Sequence, residues 1–518
     1  MVPDIVRQGA ERFGDKVAVS DPDTELSYVQ LATAAARFAN LLCEIGVEVG
    51  DRVLVVLPNS VRFTQAHFGI LSAGAISVPC DSAITRKSLT GIYRNCEPRV
   101  LVTDALSLKR LCLDSEPLGL EGILVFGAMD SDDKNTNCRS VEDALADDSR
   151  DVGADMQVQD DAVASLMYTT GTTGGAKGVP LTHRNIHATL TNITRFIGYT
   201  EQDREVIILP LSHNFGLGHL YCNLISGGGV YTENGMARVG RVLKKLSEFG
   251  ATGFPGTPTG FGILIDKYGE VLRQRGQHLR FSVINSAPLP PERTAQLQAL
   301  LPNLDIMVYY GLTEVSRSTF ISLTSKGPNY YASVGRSMDG VKIEVLDSNG
   351  QGQSPGESGE VAISGPTVTS GYWRNEELNR AVFKNGRLYT GDLGYKDEQG
   401  HLFLTGRKKD FINVGGYKVN PAEVEKVIEA YPGVGDVGVV GIEGVGGVTG
   451  ESVVAGVVVE VEPFDFGALE THCLRQLEKF KVPAVFERVD AIPRANTGKA
   501  KRVELAKLIR SRWVGEDT

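Results

Sequence analysis

Tyr168-Thr169-Thr170-Gly171-Thr172-Thr173-Gly174-Gly175-Ala176-Lys177-Gly178-Val179 follows an apolar run, Ala162 to Met167, that has the composition of a buried strand, and it precedes a helical stretch that begins near Thr182. A Gly- and Thr-rich loop so placed turns successive backbone N–H groups and hydroxyls into one concavity, which is a cradle for phosphate. It is not a Walker-type loop. Counting from Gly171, the sixth position is Ala176 rather than Gly, and Lys177 is followed by Gly178 rather than Ser or Thr. Alone, such a loop reads equally well as a flexible turn.

Four further segments decide between those readings. Tyr309-Tyr310-Gly311-Leu312-Thr313-Glu314 follows the apolar run Leu304 to Val308, where a strand end meets a loop, a usual ligand position in an open α/β sheet. Tyr389-Thr390-Gly391-Asp392 puts one carboxylate in a Gly-containing turn. Gly406-Arg407-Lys408-Lys409-Asp410 and Gly415-Gly416-Tyr417-Lys418 make a basic, glycine-punctuated stretch before a helix that starts near Pro421. Pro493-Arg494-Ala495-Asn496-Thr497-Gly498-Lys499 places a lysine on a loop near the end of the chain.

In this order and at these separations the segments resemble the adenylate-forming superfamily of acyl-CoA synthetases, peptide-synthetase adenylation domains and beetle luciferases. The likeness runs from Leu26-Ser27-Tyr28 through Ala73 to Pro79 and Gly356 to Glu360 as far as Lys499. It implies an enzyme in which a substrate carboxylate attacks the α-phosphorus of ATP, pyrophosphate leaves, and a thiol then takes the acyl group. Such chemistry asks mainly for positioning and charge stabilisation.

By the same resemblance Thr169, Thr170, Gly171, Thr172, Thr173 and Gly174 wrap the β- and γ-phosphates with Lys177 as a nearby cation. Glu314, with Thr170, holds Mg²⁺, a hard cation that prefers oxygen. Tyr309, Tyr310, Gly311 and Thr313 belong to the nucleotide site, Tyr310 offering a flat face to adenine. Ser286-Ala287-Pro288 passes the adenine edge, and Asp392 and Arg407 contact the ribose. Lys499 is the catalytic lysine, a compact charge for the bridging oxygen. Lys409 sits at the hinge position, and Gly415, Gly416, Tyr417 and Lys418 face CoA.

His213, in Pro210-Leu211-Ser212-His213-Asn214-Phe215-Gly216, resembles the residue that separates acyl pocket from thiol channel. Asn214, Gly216, Asn285 and Val315 are the other acyl-pocket candidates. Amino-acid activators usually place an aspartate after an aromatic here to pair the substrate ammonium; its absence favours a fatty, alicyclic or aryl acid. Three departures from the family pattern stand out: Ala176 where proline is common, Asn413 where relatives carry lysine, and no Pro-Asp turn in Gly441 to Gly450.

At 518 residues the chain predicts two or more domains. The expected fold class is α/β: residues 1–408 form a large domain of parallel sheets covered by helices, with a β-rich subdomain over about 333–408, and residues 409–518 form a small mobile α+β domain. Helices are expected at Leu31 to Ile45 and Val61 to Leu71, and strands at Arg52 to Leu57, Ala75 to Pro79, Val206 to Leu209, Phe281 to Asn285, Ile306 to Tyr309, Val341 to Leu346 and Glu360 to Ser364. The acid-rich 129–160 stretch reads as a surface excursion.

The net charge of −10 argues against nucleic acid as a main partner. Early acidic residues and no long apolar run argue against a secretory leader and a membrane span. Seven cysteines without a CxxC pair fit a reducing cytoplasm and no structural zinc. The expected cofactors and partners are ATP, Mg²⁺, a small-molecule carboxylic acid and CoA, or an acyl carrier protein in its place, in a monomer or homodimer. Two rival readings are a stand-alone ligase that loads a carrier-protein phosphopantetheine and a non-catalytic nucleotide sensor on the same fold.

Overall fold

Ser27 opens the first long helix, Tyr28–Glu44, with a capping box: its hydroxyl accepts from the Gln30 N–H while the Gln30 side chain accepts from the Ser27 N–H. Ser60 caps Val61–Ser72, and Thr182 with Asn185 repeats the box at His183–Ile197, which ends at left-handed Gly198. Between these helices lie the β-branched runs that the sequence marks as strands. The computed structural model describes residues 1–113, 119–128, 137–145, 158–170, 176–285, 289–407, 412–419, 421–445, 450–493 and 502–514.

Among the described residues, one sheet has seven strands in the order Cys138–Ser140, Gly122–Phe126, Val100–Asp104, Arg52–Val56, Ile76–Cys80, Val163–Thr170, Ala176–Thr182. Its neighbours are parallel except for the last pair. Val53 to Val56 are wholly buried, as a strand covered on both faces must be. The edge strand Cys138–Ser140 and the helix Val141–Leu145 lie within the stretch read as a surface excursion. Three residues at a sheet edge are too few to show a period.

A second sheet runs from Phe281–Ile284 and Asp305–Leu312, which are parallel, through antiparallel Val315–Ser322, Ser333–Ser337, Leu402–Arg407, Arg387–Lys396 and Gly359–Ser364 to Lys342–Leu346. The β-rich region beyond residue 333 is therefore continuous with this sheet through the Thr319–Ser337 pairing, although it keeps its own apolar cluster around Val341, Ile343, Val361 and Leu388. A smaller sheet, Arg204–Ile207, Gly229–Thr232, Val17–Ser20 and Glu25–Ser27, meets the second through bridges Glu205–Gly253 and Gly253–Phe281.

The smaller C-terminal domain has a hairpin, Ile412–Val414 with Tyr417–Val419, followed by helix Pro421–Glu429, strands Val434–Glu443 and Glu451–Val459, helix Phe466–Gln476, strand Val485–Arg488 and helix Arg502–Val514. Strands and helices thus alternate in it, the α+β character expected of this part of the chain. Its core is separate, built on Ile412, Val424, Val437, Val453, Leu469 and Cys473. It touches the large domain where the Tyr417 hydroxyl donates to Asp81 Oδ2 at 3.4 Å and the Ser88 hydroxyl donates to Glu478. Glu478 in turn pairs with buried Lys481, which also reaches Glu423. No helix among the described residues is long and apolar enough to cross a membrane.

Candidate active site

Strands Val163–Thr170 and Ala176–Thr182 pair with Thr169 opposite Lys177 and Thr170 opposite Ala176. The Gly/Thr-rich stretch therefore joins two antiparallel strands, and the helix expected near Thr182 starts at His183, at the end of the second strand. The period-two run Gly178 to Leu181 is the signal for that strand. Gly171, Thr172, Thr173 and Gly174 lie outside the described residues, as do the side chains of Thr169 and Thr170.

Lys177 is placed: its Nζ sits 5.8 Å from the Tyr372 ring centroid, within reach of a cation–π contact. The Tyr372 hydroxyl donates to Glu314 Oε1 at 2.5 Å, and burial next to that carboxylate pushes the phenol pKa far up. Tyr372 is thus a protonated donor at neutral pH. Glu314 occupies the two-residue turn between Asp305–Leu312 and Val315–Ser322. Its carbonyl accepts from the Thr369 N–H at 2.9 Å, while the Trp373 N–H donates to Gly178 O at 2.7 Å. Segment 369–373 so laces the turn to the Lys177 strand. Sequence reasoning misses Tyr372; its signal is an aromatic pair, Tyr372-Trp373, after a glycine in a polar stretch.

Tyr309 and Tyr310 are consecutive on a strand and must point to opposite faces. The Tyr310 hydroxyl donates to Asp392 Oδ2 at 2.6 Å, with both residues buried. Asp392 lies inside the strand Arg387–Lys396, opposite Arg407, and not in the turn expected for it; Gly391 with φ +74° is what made the segment read as one. Tyr309 turns the other way, against Phe215, Phe320 and the guanidinium of Arg317, so it belongs to the wall opposite the nucleotide candidates. The Arg407 side chain and Ser286, Ala287 and Pro288 lie outside the described residues.

His213 caps helix Asn214–Ser226, its Nδ1 accepting from the Phe215 N–H at 3.3 Å, and its side chain is exposed. Asn214 donates to Thr313 O at 3.4 Å. Gly216 is a close approach: a Cβ there would lie 2.5 Å from Pro210 O. Val315, expected in the acyl pocket, is wholly buried with Tyr310 and Val341, and Ser316 and Arg317 face the cleft in its stead. Gly415 and Gly416, with φ +55° and +95°, make a two-residue hairpin turn that demands left-handed backbone. Tyr417 stacks on Phe480 at 4.1 Å. The side chain of Lys418 is not described, and Lys409 and Lys499 lie outside the described residues.

These groups share one cleft of about 2630 Å³ between the two domains. One wall carries Lys177, Glu314, Tyr372, Tyr310 and Asp392; a second carries His213, Asn214, Gly216 and Asn285; the C-terminal domain closes it with Asn413, Gly415, Gly416 and Tyr417. Among the described residues no three His, Cys, Asp or Glu gather as a metal cage. Glu314 offers the cleft one carboxylate, an oxygen donor that suits Mg²⁺, which keeps waters and takes its remaining oxygens from phosphates.

The family model described as AMP-binding enzyme matches residues 6–373, and that described as AMP-binding enzyme C-terminal domain matches residues 423–499. The chain is similar to oxalate–CoA ligase of Arabidopsis thaliana, 30% identical over 95% of each chain. It is 29% identical to long-chain-fatty-acid–CoA ligase of Escherichia coli O157:H7 over 97% of this chain and 93% of that one. Among solved structures it resembles the amide bond synthetase McbA of Marinactinospora thermotolerans with a TM-score of 0.87 and 25% identity over 97% of this chain and 99% of that one. With both family models in chain order and relatives matched along nearly their whole length, the chain belongs to the AMP-binding enzymes, the adenylate-forming superfamily.

Proposed function

We propose that the protein activates a carboxylic acid with ATP to an acyl-adenylate, releasing pyrophosphate, and passes the acyl group to the thiol of CoA. The observation that carries the reading is the convergence on one cleft of a cation and carboxylate joined by Tyr372, a buried carboxylate held by Tyr310, and a glycine hairpin from the second domain. The first group answers the charge of the phosphates. The second presents Asp392 as an acceptor for both ribose hydroxyls. The third offers bare backbone where a thiol arm has to slide past.

In this reading Thr169 to Gly174 wrap the β- and γ-phosphates, Ser286 to Pro288 pass the adenine edge, and Arg407 joins Asp392 at the ribose. Glu314 and Thr170 would hold Mg²⁺, which supplies neutralisation of the phosphate oxygens. Lys499 stabilises the carboxylate and the bridging oxygen during adenylation. His213 stands between the acyl and thiol spaces, and Gly415 to Lys418 line the path of CoA. The boundary falls near residue 408, with Lys409 as hinge, and seven cysteines without a disulfide suit the cytoplasm.

Relatives named for oxalate and for long-chain fatty acids match almost equally well, so likeness leaves the acid open. The test is acid-dependent exchange of labelled pyrophosphate into ATP over a panel of short, long-chain and aryl acids, followed by detection of the thioester with CoA. Exchange with some acid and a CoA thioester support the reading. Adenylate formed but passed only to a carrier-protein arm or to an amine would replace the acceptor. ATP binding without exchange for any acid would leave a nucleotide sensor.

A further inference from the structure

Three residues beyond Glu314 the chain buries a cation. Arg317 is 2% exposed, and its backbone is left-handed at φ +54°, a conformation that costs a non-glycine residue about 1 kcal/mol or more. Nη1 donates to Asn214 O at 3.1 Å and to Ser316 Oγ at 3.1 Å, and Nη2 donates to Phe215 O at 2.9 Å. The guanidinium carbon lies 5.1 Å from the Tyr309 ring centroid and 5.9 Å from that of Phe215. Nε is buried with no acceptor.

All of these partners are neutral. Among the described residues Arg317 makes no ion pair, and the buried carboxylate Glu205 is already engaged by the Tyr199 hydroxyl and by His219 Nδ1. The helix Asn214–Ser226 leaves space for the charge: a Cβ on Gly218 would lie 2.5 Å from Nη1. A desolvated cation without a counter-ion is costly, and a clamp on two backbone carbonyls does not require one. Of the guanidinium's five N–H groups three are taken, which leaves two, Nε–H among them, for an incoming pair of oxygens.

The charge lies on the acyl wall. Arg317, Ser316, Asn214, Phe215 and Tyr309 line the cleft, and Arg317 also borders a small, mostly apolar cavity of about 30 Å³ behind it. Tyr309 closes the way past it. Its ring meets Phe215 edge-on at 5.4 Å and Phe320 at 5.2 Å. A long alkyl chain finds an interlocked aromatic wall with a cation set in it.

We propose that the acid activated here is short and carries a second anionic group, a carboxylate or sulfonate, at the end away from the reacting carboxyl, and that Arg317 receives it. The inference rests on the adenylating reading above and names its substrate class. The planar fork of arginine matches two oxygens of one anion. A monoacid of the same length leaves the guanidinium unpaired and is disfavoured.

The experiment is pyrophosphate exchange with wild type, Arg317→Met and Arg317→Lys, using malonate, succinate, glutarate and 3-sulfopropionate against propionate, butyrate, valerate, octanoate and benzoate. In wild type the best dianion should exceed its length-matched monoacid in kcat/KM by about 10- to 100-fold, the span of one hydrogen-bonded charge. Arg317→Met should collapse that ratio to within about threefold, and Arg317→Lys should retain part of it. A ratio taken within one variant does not depend on how much of it is folded, so a structural role alone leaves it unmoved. Preference for octanoate, benzoate or any monoacid in wild type, or a dianion preference that survives Arg317→Met, overturns the proposal while leaving adenylation intact. Absence of exchange with every acid removes the adenylating reading and this one with it.

Discussion

Tyr310→Phe removes one oxygen from the cleft and nothing else, which makes it the sharpest probe of the nucleotide wall. The Tyr310 hydroxyl donates to Asp392 Oδ2 at 2.6 Å, and Asp392 is 4% exposed. A hydrogen bond to a charged group is worth about 1.5 to 3 kcal/mol. Without it the carboxylate loses a buried partner and the fixed direction in which its acceptor lone pairs point. If Asp392 holds the ribose, most of that loss falls on nucleotide binding, so KM for ATP in pyrophosphate exchange rises about 10- to 100-fold at 1.4 kcal/mol per decade. The KM for the acid, whose proposed site lies on the other face of the same strand, should stay within about twofold, since the two proposed sites share no partner. The same variant read by thermal unfolding should lose a few degrees. A fallen Tm with an unchanged KM for ATP refutes the assignment and leaves Tyr310–Asp392 as a pair that only joins two strands.

Tyr372→Phe takes the donor from Glu314 Oε1 and should lower kcat for exchange by about 10-fold or more with a steeper Mg²⁺ requirement, measured by titrating the metal. Lys499→Ala should cut adenylation by about 10²- to 10³-fold, the effect of one charge donor, while thioester formation from supplied acyl-adenylate survives; equal loss in both half-reactions counts against an alternating C-terminal domain. His67, buried against Ser77 and Tyr221, has its pKa lowered to about 3 by burial, and His183 to about 4 for the same reason. Both folded values lie below the unfolded value of 6.5, so the unfolded chain binds more protons as acid is added. Their stabilising contribution is full above pH 6.5 and is lost as pH falls toward 4, by up to about 1.4 kcal/mol per pH unit for each histidine. Denaturant midpoints between pH 7 and 5 should fall, and His67→Gln should flatten the slope. Gly335→Ala puts a Cβ 2.1 Å from Phe320 O at φ +95° and should destabilise by about 3 kcal/mol or more, read as a drop in Tm.

The helices and parallel strands were legible because each carries its signal within its own residues: a capping box at Ser27 and Gln30, a buried run at Val53 to Val56, a box again at Thr182 and Asn185. What did not announce itself was pairing. Ala176–Thr182 reads as the approach to a helix because a seven-residue strand between a glycine loop and a cap has little sequence of its own. Arg387–Lys396 reads as a turn because Gly391 sits next to its carboxylate, and only the partner strands Gly359–Ser364 and Leu402–Arg407 keep it extended. Strand propensity is settled by neighbours that lie far off in the chain.

The site divides along the same line. Glu314 and Asp392 are singled out as candidates by short motifs, yet the groups bonded to them stand 58 and 82 residues away, as Tyr372 and Tyr310. A motif offers the candidate side chain, whereas the partner of each bond is chosen by topology. Arg317 carries this furthest. Three residues after a glutamate, in the polar run Ser316 to Thr319, it carries no local signal of burial. Folding instead lays it between the rings of Tyr309 and Phe215 and gives it neutral carbonyls. The one trace in the sequence is Gly218, a hundred residues earlier, where any side chain would meet the guanidinium. A glycine inside a helix costs about 1 kcal/mol against alanine, so one that faces a buried cation marks space kept for that cation. The selectivity of Arg317→Met tests whether the space serves the substrate or only the helix.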